Sequence, residues 1–211
     1  MATTIPKTML AATVVEYNEP LELFKDIPVP TPQGSELLVK VKASSLCMSD
    51  IAGWMGHLGA PLPYCAGHEP VGIVVALGKD ASSEFKIGDR VGFMPASRTC
   101  QNCAECTSGN HRYCDKRTNV GFDGPYGGFS EYALADPVST VKIPEAIADD
   151  LAAPLLCAGV TAYGAVRKVT AHQPVGTAVN IIGCGGVGHI AIQYAVAMGY
   201  TVNACKSCAY V

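Results

Sequence analysis

The spacing of apolar and polar residues changes character part-way along the chain. From about Leu10 to Lys142 the apolar residues come in short runs closed by Gly or Pro. "ELLVKVKASS" (36–45) alternates apolar and polar positions, the period of a half-buried strand. "GIVVALG", "DRVGFMP" and "FSEYALAD" are further short runs of strand type. Many short strands with turn punctuation predict a β-barrel or sandwich. From Pro144 the texture becomes helical, Ala-rich over 144–169, with Asp149 and Asp150 in an expected first turn. Beyond it, "AVNII" (178–182) predicts a strand that runs into glycines. Residues 187–199 predict a helix ended by Gly199, and "TVNAC" (201–205) a following parallel strand. The expected organisation is a β-rich domain over 1–150 and a βαβ unit over 151–211, with no internal repeat.

Charge sharpens that division. All 18 Asp and Glu lie at or before Asp150, and beyond it only Arg167, Lys168 and Lys206 are charged. The chain has 211 residues and is 49% hydrophobic but only 16% charged, enough for a sizeable core and too little charge for disorder. A net charge of −3 without a Lys/Arg block argues against nucleic acid and anionic membranes as partners. The start, "MATTIPKTML", lacks the apolar core of a signal peptide. No apolar run reaches the roughly 18 residues of a membrane span. These features predict a cytoplasmic protein. Its 10 cysteines then point to metal binding or catalysis rather than a disulfide framework.

Three constellations carry chemistry. Residues 97–119 hold Cys100, Cys103, Cys106 and Cys114 in the spacing Cys-x2-Cys-x2-Cys-x7-Cys. Four thiolates at about 2.3 Å satisfy tetrahedral Zn²⁺ and leave no open position, so the expected role is structural. Reduced surface thiols or a disulfide pair are the alternatives. The second set is dispersed: Cys47, His68, Glu69 and Cys157. Two thiolates and an imidazole can hold a catalytic zinc with a fourth position open. By spacing alone the signal is weak, because an isolated Cys is usually buried filler and an isolated His a satisfied polar group. The third is Gly183-Cys184-Gly185-Gly186-Val187-Gly188, a G-x-G-x-x-G directly after an apolar strand and opening a helix. In that context the glycines allow a tight turn, backbone approach to a pyrophosphate and close helix–strand packing. A glycine-rich turn without a ligand is the alternative.

"CMSD", "GHEPVG", the four-cysteine loop, "LCAGVTAYGA" and "GCGGVGHIAIQYAVAMG" occur in one order over nearly the whole chain. In this the chain resembles the zinc-dependent medium-chain alcohol dehydrogenases, closest in texture to the yeast-type enzymes. The resemblance implies a GroES-like β-barrel catalytic domain with a structural zinc lobe, followed by an incomplete Rossmann unit. It implies two zinc ions per chain and NAD or NADP. Cys47, His68 and Cys157 would be catalytic-zinc ligands, with Glu69 an alternate one. Ser49 would relay the alcohol proton and Asp50 would hold the ligand imidazole. Gly183, Gly185, Gly186, Val187 and Gly188 would lie under the dinucleotide. The substrate would be a small alcohol or aldehyde, and full-length relatives oligomerise.

The sequence also departs from that family. Met48 stands where many relatives of that family carry a His or Arg able to contact the pyrophosphate, and Ala52 where relatives often carry the His that ends the proton relay. His57 reads as a surface residue. The acidic residue expected roughly 20 positions past the first glycine is missing, with Lys206 near its place. Lys206 fits a 2′-phosphate, or else "CKSCAYV" is an abnormal tail in which Cys205 and Cys208 are paired by chance. A Rossmann domain needs two mononucleotide-binding halves, and one is legible. The alternative function is therefore a truncated zinc-binding remnant without activity.

Overall fold

The computed structural model describes residues 4–81 and 83–206. Cys208 and most of "CKSCAYV" lie outside them. In chain order the elements are β1 (Thr8–Val14), β2 (Glu22–Pro28), β3 (Leu37–Ser44), α1 (Met48–Trp54), β4 (Tyr64–Cys65) and β5 (Pro70–Leu77). Then come β6 (Arg90–Phe93), β7 (Ala96–Ser97), α2 (Ala104–Thr107), β8 (Thr118–Asn119), β9 (Tyr132–Ala135) and β10 (Thr140–Lys142). The rest are α3 (Asp149–Ala152), α4 (Ala158–Thr170), β11 (Ala178–Ile182), α5 (Gly186–Ala197) and β12 (Thr201–Cys205). The chain divides into two compact units between Leu156 and Cys157.

The first unit is built on a five-stranded sheet in the order β10-β6-β5-β3-β9 and a three-stranded sheet in the order β2-β1-β4. Among the described residues the strands of this β-rich domain do not close into a barrel. The two sheets stay open and are linked by the isolated bridge between Ala11 and Ser130. β3 explains part of this arrangement. Leu37 and Val39 face a core of Val74, Val91, Phe93 and Ala133, while Leu38 packs on the opposite face with Met9, Tyr132 and Leu134. The strand is thus buried on both faces at its start. From Lys40 onward the positions are half-buried apart from the exposed Lys42, without a strict alternation.

One pairing places the functional region. β3 and β5 are antiparallel, with Ser44 opposite Pro70. The chain leaving β3 toward Cys47 therefore runs beside the chain that enters β5 through His68 and Glu69. The helical texture expected over 144–169 resolves into three pieces: α3, a 3-10 turn over Ala153–Leu156, and α4. Pro154 has no N–H for the helical ladder, and Cys157 leaves helical geometry at φ −125° and ψ −69°. Leu156 is buried with Val71, Ala152 and Ala153, which ties this turn to the first unit's core.

In the second unit β11 and β12 pair in parallel, Ala178 opposite Thr201 through Ile182 opposite Cys205. α5 connects them, and α4 packs on α5 with Tyr163 and Tyr194 edge to face at 5.9 Å. Gly199 (φ +86°) ends α5, where the Tyr200 N–H reaches back to the Ala195 carbonyl at 3.0 Å.

Candidate metal centres and dinucleotide loop

The buried site begins with a helix cap. Asp50 stands in the first turn of α1, and its Oδ2 accepts the Cys47 backbone N–H at 2.9 Å. Its other oxygen reaches across to the β5 entry. Oδ1 accepts the Gly67 N–H at 3.1 Å and lies 2.9 Å from His68 Nδ1. A carboxylate in three such contacts can only accept, so the geometry puts the imidazole proton on Nδ1 and leaves the Nε2 lone pair on the opposite edge. One residue thus caps a helix and fixes a ring.

His68 and Glu69 are almost fully buried, at 1% and 2% exposure. Glu69 Oε2 accepts the Ser45 hydroxyl. Glu69 Oε1 lies 3.9 Å from His68 Nε2, and neither atom has a hydrogen-bond partner among the described residues. Two buried electron-pair donors facing one point are costly unless something pairs with them. A cation meets that need. The Cys47 thiol and these two side chains offer ligand atoms that all lie within 4.8 Å of one another. A soft thiol, an imidazole and a carboxylate suit Zn²⁺. Cys157 opens the second unit, directly after Leu156. The half-buried Ser49 hydroxyl is 3.9 Å from Cys47 Sγ. Met48 is 76% exposed, and His57 is a surface residue as expected.

Sequence reasoning missed three supporting groups here. Ser45 holds Glu69, and the Gly67 N–H helps hold Asp50. The Phe122 ring lies 5.0 Å from the His68 ring. "SSLC" contained the first as an unremarked hydroxyl. No spacing rule connects Phe122 to His68 across 54 positions.

The four-cysteine lobe is different in kind. Its thiols also lie within 4.8 Å of one another, with Cys100 and Cys106 Sγ 4.0 Å apart. Four sulfurs at zinc-bond length around a tetrahedral centre stand about 3.8 Å apart, so the lobe has the right size. All four are free thiols, which removes the disulfide alternative in this structure. Their environments differ. Backbone N–H groups of Asn102 and Cys103, with neighbouring thiols, hold Cys100 down at about 6, while burial pushes Cys106 up to about 12. α2 supplies Cys106, and the antiparallel pair β7–β8 closes the lobe's base, Ser97 opposite Thr118.

In the second unit the glycine loop follows β11. Gly183 has φ +92°, and its N–H donates to the Cys205 carbonyl at 2.8 Å. A Cβ on Gly188 would stand 1.8 Å from the Gly183 carbonyl oxygen. The fold therefore demands glycine at these two positions. It makes no such demand at Gly185 or Gly186, where a Cβ would meet nothing within 4 Å and φ is not positive. Their open faces surround the N-terminus of the 12-residue α5, whose orphan N–H groups favour an anion. Val187 is exposed in the first turn, and Cys184, Cys205 and Lys206 are exposed nearby in this unit.

The family pattern described as "Alcohol dehydrogenase GroES-like domain" matches residues 33–145, more than half of the chain. The chain belongs to this family. An alcohol dehydrogenase of Geobacillus stearothermophilus is 39% identical over 198 residues, covering 93% of this chain and 57% of the relative. Among solved structures, acetophenone reductase from Geotrichum candidum in complex with NAD matches at TM-score 0.82 and 33% identity, covering 96% of this chain and 59% of that one. The CAD of Helicobacter pylori complexed with NADP(H) matches at TM-score 0.81 and 27% identity, covering 93% and 58%. The chain thus spans under three fifths of these relatives' lengths. No described helix is long and apolar enough to cross a membrane.

Proposed function

We propose that the chain carries the metal-binding domain and the first dinucleotide-binding half of a zinc-dependent, NAD(P)-linked alcohol dehydrogenase, acting on a small alcohol or aldehyde. The observation that carries this reading is the buried pair of unpartnered atoms, His68 Nε2 and Glu69 Oε1, with Asp50 fixing the far edge of the imidazole. Cys47, His68 and Cys157 are the proposed ligands of one zinc, and Glu69 an alternate ligand. Cys100, Cys103, Cys106 and Cys114 are the proposed ligands of a second. At the first site zinc supplies a Lewis acid that lowers the pKa of an alcohol hydroxyl. The nicotinamide supplies the hydride acceptor.

The chain's own residues do the positioning. Asp50 accepts from His68 Nδ1 and so keeps the Nε2 lone pair available throughout. Ser45 holds one Glu69 oxygen, so the other stays directed at the centre. Burial of His68 and Glu69 keeps water from competing for their lone pairs. The Ser49 hydroxyl, beside Cys47, would relay the alcohol proton, accepting it while passing its own hydroxyl proton on to solvent. Gly183 makes the turn that aims the α5 N-terminus, and Gly185, Gly186 and Val187 let pyrophosphate oxygens approach its N–H groups. Residues 1–156 form the proposed catalytic domain, and residues from Cys157 onward the start of the cofactor domain.

The test is NAD(P)-linked turnover by the zinc-loaded chain with a panel of primary and secondary alcohols and aldehydes. Turnover that disappears in Cys47→Ala supports the reading. Retained zinc without turnover or dinucleotide binding contradicts the activity for this chain.

A further inference from the structure

Phe122 has no part in the chemistry above, yet its ring lies against the His68 imidazole, 5.0 Å between centroids at 36°. The residue before it is wedged more tightly. Gly121 has φ +83°, and a Cβ there would stand 2.4 Å from the Gly67 carbonyl oxygen and 2.9 Å from the His68 nitrogen. The segment carrying Phe122 therefore cannot shift without disturbing the Gly67–His68 backbone.

That segment is the turn that follows β8, the strand by which the chain leaves the cysteine lobe. The Cys114 carbonyl accepts from Arg117 twice, from the backbone N–H at 3.1 Å and from Nη1 at 3.1 Å. Arg117 Nε donates to Asn119 Oδ1 at 3.3 Å. The Asn119 carbonyl accepts the N–H groups of Phe122 at 3.1 Å and Asp123 at 2.9 Å. Asp123 Oδ2 returns the contact, accepting the Asn119 N–H at 2.6 Å and its side-chain amide at 3.1 Å. A contiguous hydrogen-bonded path thus runs from the fourth lobe cysteine to the ring on His68.

We infer that Phe122 is a positioning residue for the His68 imidazole, and that through Arg117 and Asn119 it transmits the order of the four-cysteine lobe to the buried site. This rests on the reading of His68 as a metal ligand. The consequence is directional: a lobe held by metal braces His68 for ligation, and a lobe that has lost its metal weakens the buried site without touching its ligands. Coupling of this kind is an energetic claim and is measured as one.

The test titrates the metal-free full chain with Co²⁺, whose absorption separates a four-thiolate site from a mixed sulfur–nitrogen site. Wild type is expected to bind two equivalents. Phe122→Ala is expected to weaken the mixed site by on the order of tenfold, the scale seen when a group that orients a ligand is lost. The four-thiolate site should be unmoved, and Phe122→Leu should recover most of the loss. The His68 ring resonances of the metal-free protein should broaden in Phe122→Ala, which a general loss of stability would not confine to one histidine. Arg117→Ala keeps the aromatic ring, so it remains informative if Phe122→Ala fails to fold. It is expected to weaken the mixed site by about threefold. Cys114→Ser should weaken the mixed site in wild type but add little to Phe122→Ala. Two equivalents with an unchanged mixed site in Phe122→Ala or, should that variant not fold, in Arg117→Ala, would overturn this inference alone. Fully additive effects of Cys114→Ser would overturn the link to the lobe. A wild type without any mixed site would overturn the reading of His68 and this inference with it.

Discussion

The two cysteine-containing centres differ in how the chain assembles them. The lobe draws all four thiols from one stretch of 15 positions, Cys100 to Cys114, closed at its base by a two-stranded ribbon. Its donors are alike, and Cys100 and Cys103 are part-exposed. The buried site draws Cys47, His68 and Glu69 from two separate segments, brought together by the β3–β5 register. Its donors are mixed, and its histidine is held from behind by Asp50. A local, homogeneous set suits a metal that staples a loop. A dispersed, oriented set with unsatisfied buried atoms suits a metal that handles a substrate.

The comparison can be broken at the lobe first. Cys114→Ser removes a fully buried thiol from a loop with little core of its own. The expected loss is about 4 kcal/mol of stability and the protease resistance of residues 98–117, read by thermal melts and limited proteolysis. A lobe that stays protected would mean that its hydrogen bonds, not a metal, order it. At the buried site, Asp50→Asn keeps the size of the side chain but removes the charge behind His68. Metal affinity there is expected to fall by about 10- to 100-fold, with lobe affinity unchanged, as measured by competitive chelation. Equal losses at both centres would erase the distinction between them.

A smaller effect sharpens the same contrast in the glycine loop. Gly188→Ala places a methyl against the Gly183 carbonyl and is expected to cost on the order of 2 kcal/mol in the second unit. Gly185→Ala has open space and should leave stability within about 0.5 kcal/mol of wild type, yet weaken dinucleotide binding. Calorimetry with NAD and NADP on both variants separates the fold's requirement from the ligand's.

How legible each region was follows from the same distinction. β11, α5 and β12 were readable because an apolar run, a glycine turn and a second run follow one another locally, and β12 spans the residues of "TVNAC". The lobe was readable because its ligands share one short window. The buried site was not readable from spacing, since Cys47 and His68 meet only through a strand register. The family resemblance, not periodicity, singled them out. Cys65 illustrates the difficulty. It lies three residues before His68, yet it is a buried thiol pushed up to about 11 by burial, with its Sγ 3.6 Å from the Ala66 carbonyl oxygen, and it lies outside both clusters. Whether the sheets close was not legible either. Short strands with turn punctuation do not say so, and here β1 meets the segment before β9 through an isolated bridge and the Leu10 N–H to Glu131 carboxylate contact. Likewise, Ala-rich helical texture over 144–169 concealed the break that Pro154 and Cys157 introduce.

The proposed function requires two metal centres of different kind. The most direct measurement is the zinc content of the purified full chain beside that of His68→Ala and Cys106→Ser. Two zinc ions are expected in wild type and one in each variant, with the four-thiolate signature kept by His68→Ala and lost by Cys106→Ser. A wild type with one zinc, or a His68→Ala variant that keeps two, would contradict the proposed function.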